Sequence, residues 1–185
     1  MCTESRLYRI HCFGASGSGA TTLGQALAER LGVRHFDSDD YGWEDTNPPF
    51  QKRRPVRERG ERVHEAIRGE ERWVLSGSVW SIDILCSFPF TLVVFLYLGT
   101  SERLDRLRAR ELERYGPDAE PGGARYEHSQ QFLSWAASYD HGPMSERSLA
   151  LHRSWLEKMP FPHISLASDK SPTKLVDEVL RRAYT

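Results

Sequence analysis

Residues 11–24, HCFGASGSGATTLG, place glycine at positions 14, 17 and 19 between a run of bulky residues and a helical repeat. Gly14, four residues, Gly19, one residue and Thr21 match the spacing G-x-x-x-x-G-K-[ST] of a phosphate-binding loop except at Ala20, where lysine is usual. LYRIHCF at 7–13 reads as a strand, and from Thr21 or Thr22 onwards Leu23, Leu27 and Leu31 recur at intervals of four. A strand that turns through glycines into a helix converges backbone N–H groups on one point and adds the favourable electrostatics of a helix N-terminus. A flexible turn of small residues would explain the glycines, but not the coincidence of spacing, strand and helix. The candidate phosphate cradle is therefore Gly14, Ala15, Ser16, Gly17, Ser18, Gly19, Ala20, Thr21 and Thr22, with the Thr21 hydroxyl where a magnesium ion is normally met. Ala20 weakens catalysis more than binding. The usual lysine follows charge developing on the transferred phosphoryl group, whereas the backbone cradle survives without it.

The remaining pattern alternates strands with helices. RHF leads into DSDD at 37–40 as a second strand, RWVLSG at 72–77 reads as a third, FTLVVFLYL at 90–98 as a central fourth and HISLAS at 163–168 as a short fifth. Residues 44–60 are polar, proline-broken and basic, a surface excursion rather than part of the sheet. Val63, Ala66 and Ile67 mark a helix before the third strand. A charged amphipathic helix is expected over 101–115, a proline- and glycine-rich break over 116–123, and further helices through Phe132, Ala136 and Tyr139 and over about 145–158. Ser171 and Pro172 open a closing helix with a stripe of Leu175, Val176, Val179, Leu180 and Ala183. Such alternation predicts a mostly parallel three-layer α/β domain. We expect one domain over 1–185, with an acceptor-side excursion at 40–62 and a lid over about 110–145.

Hydrophobic residues make up 39% and charged residues 28%, a balance that fits a folded chain rather than a disordered one. A formal net charge of -1 gives no support to a protein that grips nucleic-acid backbones. No apolar run near the N-terminus suits a signal peptide, and FPFTLVVFLYLG at 88–99 contains Pro89 and is too short to span a membrane, which leads us to expect a cytoplasmic location without membrane partners. Cys2, Cys12 and Cys86 are too few and scattered for a disulfide framework or thiolate metal site. They read as free thiols, with Cys12 and Cys86 buried in packing. The seven histidines show no zinc spacing. Monomer and homodimer remain open alternatives.

Arg103, Arg106, Arg110 and Arg114 recur at three or four residues, which would put them on one helical face. Arg106 and Arg110 are the first candidates to clamp phosphates in place of the missing lysine, because arginine makes bidentate contacts while neutralising charge. A solvated face is the alternative, given Glu102, Asp105, Glu111 and Glu113 nearby. Asp37 and Asp39, two apart in an extended segment, would point the same way, towards one cation or one acceptor, although an acidic turn or a cap would explain them too. LSGS at 75–78 resembles the segment that brings the third strand to the acceptor pocket in kinases, where Ser76, Gly77 and Ser78 would form a polar wall, although Gly77 could simply accommodate a tight turn; Arg53, Arg54 and Arg57 can hold a substrate phosphate or simply face solvent. Trp43, Trp80, Trp135 and Trp155 suit helix packing better than base stacking, Trp135 and Trp155 especially.

The strings GASGSGATTLGQALAERLG, HFDSDDYGW, RWVLSGS, LVVFLYL and ERLDRLRARELERYG, in that order, resemble the adenylate-kinase-related subgroup of P-loop kinases. The resemblance implies a P-loop nucleoside triphosphate hydrolase fold with sheet order 2-3-1-4-5, ATP as donor and a mobile, arginine-bearing helical lid. It also likens the arginines before the break to lid arginines of nucleotide and shikimate kinases, and DSD to the D-x-D element in which Asp37 would assist magnesium and Asp39 would orient the acceptor. The implied activity is magnesium-dependent transfer of a phosphoryl group from ATP to a small acceptor, with a nucleoside monophosphate as one candidate. The alternatives are slow ATP or GTP hydrolysis and a nucleotide-responsive binding protein with negligible turnover.

Overall fold

The computed structural model describes residues 7–47, 52–78 and 81–184. Five strands form one parallel sheet: β1 (Arg9–Gly14), β2 (Arg34–Asp37), β3 (Trp73–Ser76), β4 (Leu92–Tyr97) and β5 (His163–Ala167), ordered β2-β3-β1-β4-β5. The helices are α1 (Ala20–Leu31), α2 (Ser38–Gly42), α3 (Val56–Ile67), α4 (Ile82–Cys86), α5 (Thr100–Tyr115), α6 (Tyr126–Ala137), α7 (Leu149–Lys158) and α8 (Pro172–Tyr184). This is the three-layer α/β/α architecture of P-loop nucleoside triphosphate hydrolases with a helical lid.

Alternation along β1 explains the layering. Ile10 and Cys12 pack with Leu23 and Leu27 of α1 and Leu175, Val176 and Val179 of α8. Phe13 faces the other way, towards Val63 of α3, Trp155 and Leu156 of α7 and the aromatic group Trp73, Phe88, Phe90 and Phe95. Five of the six β4 residues are buried, as its nearly continuous apolar run requires of a strand covered on both faces. Each such Val, Leu or Phe contributes about 1.5–3 kcal/mol on burial, so the middle of the sheet fixes the register of what lies at its end. A smaller cluster, Leu107, Leu133 and Ala136, joins α5 to α6.

Several local expectations change. The helix expected from about 145 begins at Leu149, because the Ser148 hydroxyl accepts a hydrogen bond from the Leu151 N–H and stops the helix there. Residues within 44–60 turn helical from Val56, and a short antiparallel bridge between Trp43 and Arg53 closes the described part of the excursion. Cys12 is buried, but Cys86 is exposed: it ends the short α4, whose buried position is Leu85. Cys2, Trp80 and residues 48–51 lie outside the described residues.

Because all strands run the same way, their C-terminal ends gather on one edge. The chain passes from β1 to β2 and β3 on one side and to β4 and β5 on the other, so the loop after β1 sits where the strand order reverses.

Candidate functional site

At that edge lies a cleft of about 740 Å³. Its floor is the segment from Gly14 to Thr22. Gly17 and Gly19 adopt φ of 81° and 88°, in the left-handed region, and a Cβ on Gly17 would stand 2.8 Å from the Arg103 carbonyl oxygen. The loop closes through the Ser18 N–H, which donates to the Ala15 carbonyl at 3.0 Å. Gly19 caps α1 without any side-chain hydrogen bond, and an uncapped first turn presents its N–H groups to an anion. Ala20 lines the cleft, and its methyl group packs against the core beneath α1.

Thr21 Oγ1 donates to Asp37 Oδ2 at 2.7 Å. The sequence had Asp37 and Asp39 side by side on an extended segment; the structure separates them. Asp37 ends β2 and caps α2, its Oδ1 accepting the Asp39 N–H at 2.9 Å, while Asp39 belongs to the helix. The cap forms because a carboxylate directly before a helix can satisfy the otherwise unpaired N–H groups of its first turn. Both carboxylates still border the cleft. Enclosure by the surrounding protein and the neighbouring Asp37 push the Asp39 pKa up, and Arg147, Arg110 and Arg53 pull against that shift.

The arginines of α5 divide in two. Arg106, Arg110 and Arg114 line the cleft, whereas Arg103 is fully buried and donates to the carbonyls of Leu98 and Ala136, both at 3.0 Å, and to that of Ser16 at 3.4 Å. Arg103 also pairs with Asp140 at 3.5 Å. The single face read from spacing therefore holds three residues. Arg103 sits in the first turn of α5, where the chain leaves the sheet beneath the segment Ser138–Asp140, and there its charge binds the phosphate loop to the lid base. Arg106 Nη2 donates to the Ser168 carbonyl at 3.1 Å, and its Nη1 stands 3.6 Å from where a Gly19 Cβ would be. Arg110 lies 5.8 Å from the Phe132 ring centroid, and burial lowers its pKa.

Of the basic excursion, Arg53 reaches the cleft and stands 4.7 Å from the Trp43 ring centroid. Arg54 is occupied by the Trp43 carbonyl and Glu58, and Arg57 pairs with Glu61 on the surface. Gly77 and Ser78 line the cleft, but Ser76 turns away to His35, 3.0 Å from its Nε2. Trp155 is a core residue; Trp135 packs beside α5 yet also forms part of the cleft wall, as does Trp43.

Three contributors escaped the sequence reading. Arg147 comes from the turn before α7 and donates to the Gly14 carbonyl at 2.7 Å. Arg125 and Lys170 also line the cleft. Behind Ser78, His152 is buried, with Ser78 Oγ 3.1 Å from its Nε2 and the Tyr139 hydroxyl 2.7 Å from its Nδ1; burial holds its pKa well below the ordinary imidazole value. His152 lies on the buried face of α7 with Leu149, Trp155 and Leu156, whereas Arg147, Arg125 and Lys170 follow no helical or strand period. The one local signal was Ser148 as a helix start, which puts the residue before it at the end of an element.

Seven cationic groups (Arg53, Arg106, Arg110, Arg114, Arg125, Arg147 and Lys170) face four carboxylates (Asp37, Asp39, Asp40 and Glu111) around the cleft. A surplus of that sign in a concave, partly desolvated space favours a polyanion.

A profile of the AAA domain family matches residues 10–130, which contain the phosphate loop and the arginine helix. The chain belongs to the AAA domain family. It is 44% identical over 173 residues to the uncharacterized protein YqaC of Bacillus subtilis (strain 168), covering 92% of this chain and 94% of that one. A shikimate kinase from Acinetobacter baumannii, solved in complex with shikimate, superposes with a TM-score of 0.57 at 20% identity, covering 96% of this chain and 93% of that one. A gluconokinase from Sinorhizobium meliloti 1021 does so with a TM-score of 0.51 at 16% identity, over 96% and 91% of the two chains. At such identities the likeness shows a shared kinase-like fold. Among the described residues of this family member, no helix is long and apolar enough to cross a membrane.

Proposed function

We propose that this chain transfers the γ-phosphoryl group of ATP, with magnesium, to a small acceptor, a nucleoside monophosphate being one candidate. The observation that carries the reading is the Thr21–Asp37 pair, 2.7 Å apart, beside an uncapped helix N-terminus and opposite a wall of arginines. Backbone N–H groups from Gly14 to Gly19 would hold the phosphates, with Thr22 at an outer oxygen.

Thr21 and Asp37 offer two hard oxygens, the donor type magnesium takes. Among the described residues no cluster of three or more His, Cys, Asp or Glu could hold a metal ion unaided, so phosphate oxygens and water would complete its shell. Magnesium supplies charge neutralisation at the phosphates when bound. Asp39 would orient the acceptor in the space bounded by Arg53, Gly77 and Ser78, and Arg106 and Arg110 would neutralise charge on the phosphoryl group in flight. Residues 40–62 are the acceptor side and about 110–145 the lid, within one domain over 1–185. Positioning and electrostatics suffice, because phosphoryl transfer asks little covalent chemistry of the protein. The folds shared with a shikimate kinase and a gluconokinase support the reaction class and leave the acceptor open.

Ala20 favours a second reading, a nucleotide-responsive binding protein with negligible turnover. The two part in one assay: ADP formation from ATP and magnesium across nucleoside monophosphates and small hydroxylated metabolites, with nucleotide binding measured on the same preparation. Acceptor-dependent turnover that is lost in Arg110→Ala and Asp39→Ala supports the kinase. Saturable binding with no product across the panel supports the binding protein.

A further inference from the structure

Position 20 brings no charge to a bound phosphate, since Ala20 ends at a methyl group turned towards the core. The three cleft arginines of α5, Arg106, Arg110 and Arg114, are exposed, and Arg106 is tied to the Ser168 carbonyl just after β5. Arg147 differs in burial and in origin. It is half-buried, it approaches from a segment 133 residues away, and its Nη2 donates to the carbonyl of Gly14, the first residue of the loop, at 2.7 Å.

The loop doubles back on itself. The Ser18 N–H bonds the Ala15 carbonyl at 3.0 Å, and a Cβ on Gly14 would stand 2.6 Å from Ser18 Oγ, so entry and exit face one another. A cation fastened to the Gly14 carbonyl therefore borders the space that the loop encloses. The guanidinium is backed by Trp135, whose ring centroid lies 5.7 Å away, and Arg147 Nε is buried with no hydrogen-bond partner among the described residues. A guanidinium has five N–H donors in a fixed fork; one holds Gly14, and a buried, unpaired donor on the cleft wall is a site for an acceptor atom that arrives with a ligand.

On the nucleotide reading given above, we propose that Arg147 supplies in trans of the loop the cation that is missing at Ala20, contacting the outer phosphate oxygens of a nucleoside triphosphate. The carbonyl of Gly14 positions the guanidinium. Arg106 and Arg110, from α5, remain further cations for the same phosphates.

The test is calorimetric binding of the magnesium complex of a non-hydrolysable ATP analogue, and separately of ADP, to wild type, Arg147→Ala, Arg147→Lys, Ala20→Lys and the double variant Ala20→Lys/Arg147→Ala, each with a thermal melt. Arg147→Ala should weaken the triphosphate by about tenfold or more, the size of one lost charge-assisted hydrogen bond, and ADP by less. Ala20→Lys should restore triphosphate affinity in the Arg147→Ala background and add little to wild type, because both cations serve one place. Should Arg147→Ala not fold, Arg147→Lys carries the comparison: retained affinity for the triphosphate, with little added by Ala20→Lys, is the expected result. A folded Arg147→Ala with unchanged triphosphate affinity, or an equal gain from Ala20→Lys in both backgrounds, overturns the assignment alone. A wild-type chain that binds neither nucleotide overturns the nucleotide reading and this assignment with it.

Discussion

The two sides of the cleft are built on opposite plans. The floor, Gly14 to Thr22, is a single stretch of nine residues that presents backbone groups and hydroxyls and no charged side chain. The opposite side draws Arg53, Arg106, Arg110, Arg125 and Arg147 from segments far apart in the chain and presents mostly guanidinium groups. The floor takes its shape from β1, which the sheet buries on both faces, and so it is fixed before any ligand arrives. The arginine side depends on how α5, α6 and the turn before α7 settle over the sheet. Ala20 makes the contrast sharp: the floor lacks the charge that lysine normally brings, and the cations of the cleft stand on the other side.

Arg103 joins the two sides, and removing it should have the largest effect. Arg103→Ala would leave the Leu98 and Ala136 carbonyls and Asp140 without their cation in a buried setting, a loss of about 3–5 kcal/mol. Urea denaturation should show it as a lower midpoint, well beyond the effect of Arg147→Ala; equal effects would erase the distinction between a structural arginine and a ligand-facing one.

Acid sensitivity should arise in the core below the floor. His11 is fully buried between Phe13 and Phe90, and burial lowers its pKa from 6.5 to about 4. The unfolded chain thus takes up the proton first as pH falls. Stability is intact above about 6.5 and drops towards pH 4, by about 3 kcal/mol for this group. His11→Phe should flatten that part of the stability profile; an unchanged slope would move the sensitivity elsewhere.

Gly17→Ala tests how tightly the floor is set. At φ 81° with the Arg103 carbonyl 2.8 Å from the new methyl, it should cost about 1–3 kcal/mol and weaken nucleotide binding together with stability. The smallest effect belongs to Arg57→Ala, whose side chain is 92% exposed: its pair with Glu61 should matter by no more than about 0.5 kcal/mol, with nucleotide affinity unchanged. A clear loss of affinity there would extend the binding side beyond Arg53.

The same contrast explains what could be read from the sequence. The floor was legible because spacing, strand and helix are local, and the sheet order followed from the resemblance these motifs carry. Asp37 ends the second strand at the cleft, as read, but Asp39 belongs to a helix, since a carboxylate that ends a strand can equally cap a helix, and an alternating D-S-D does not say which. Arg103 and Arg106 differ by three residues in one helix, and only the path of the chain under the lid sends one inward. Arg147 has no period, no motif and no neighbour of its kind; its position depends on α7 packing beside β1 and on Ser148 starting that helix.

The most direct test of the account follows the γ-phosphorus itself. The protein is mixed with magnesium and ATP labelled at the γ-phosphate, once alone and once with each acceptor of the panel, and the label is located after a single turnover. The account predicts label on a small acceptor, with little released as inorganic phosphate when no acceptor is present. Label that stays in ATP throughout, or passes to inorganic phosphate regardless of acceptor, would contradict it.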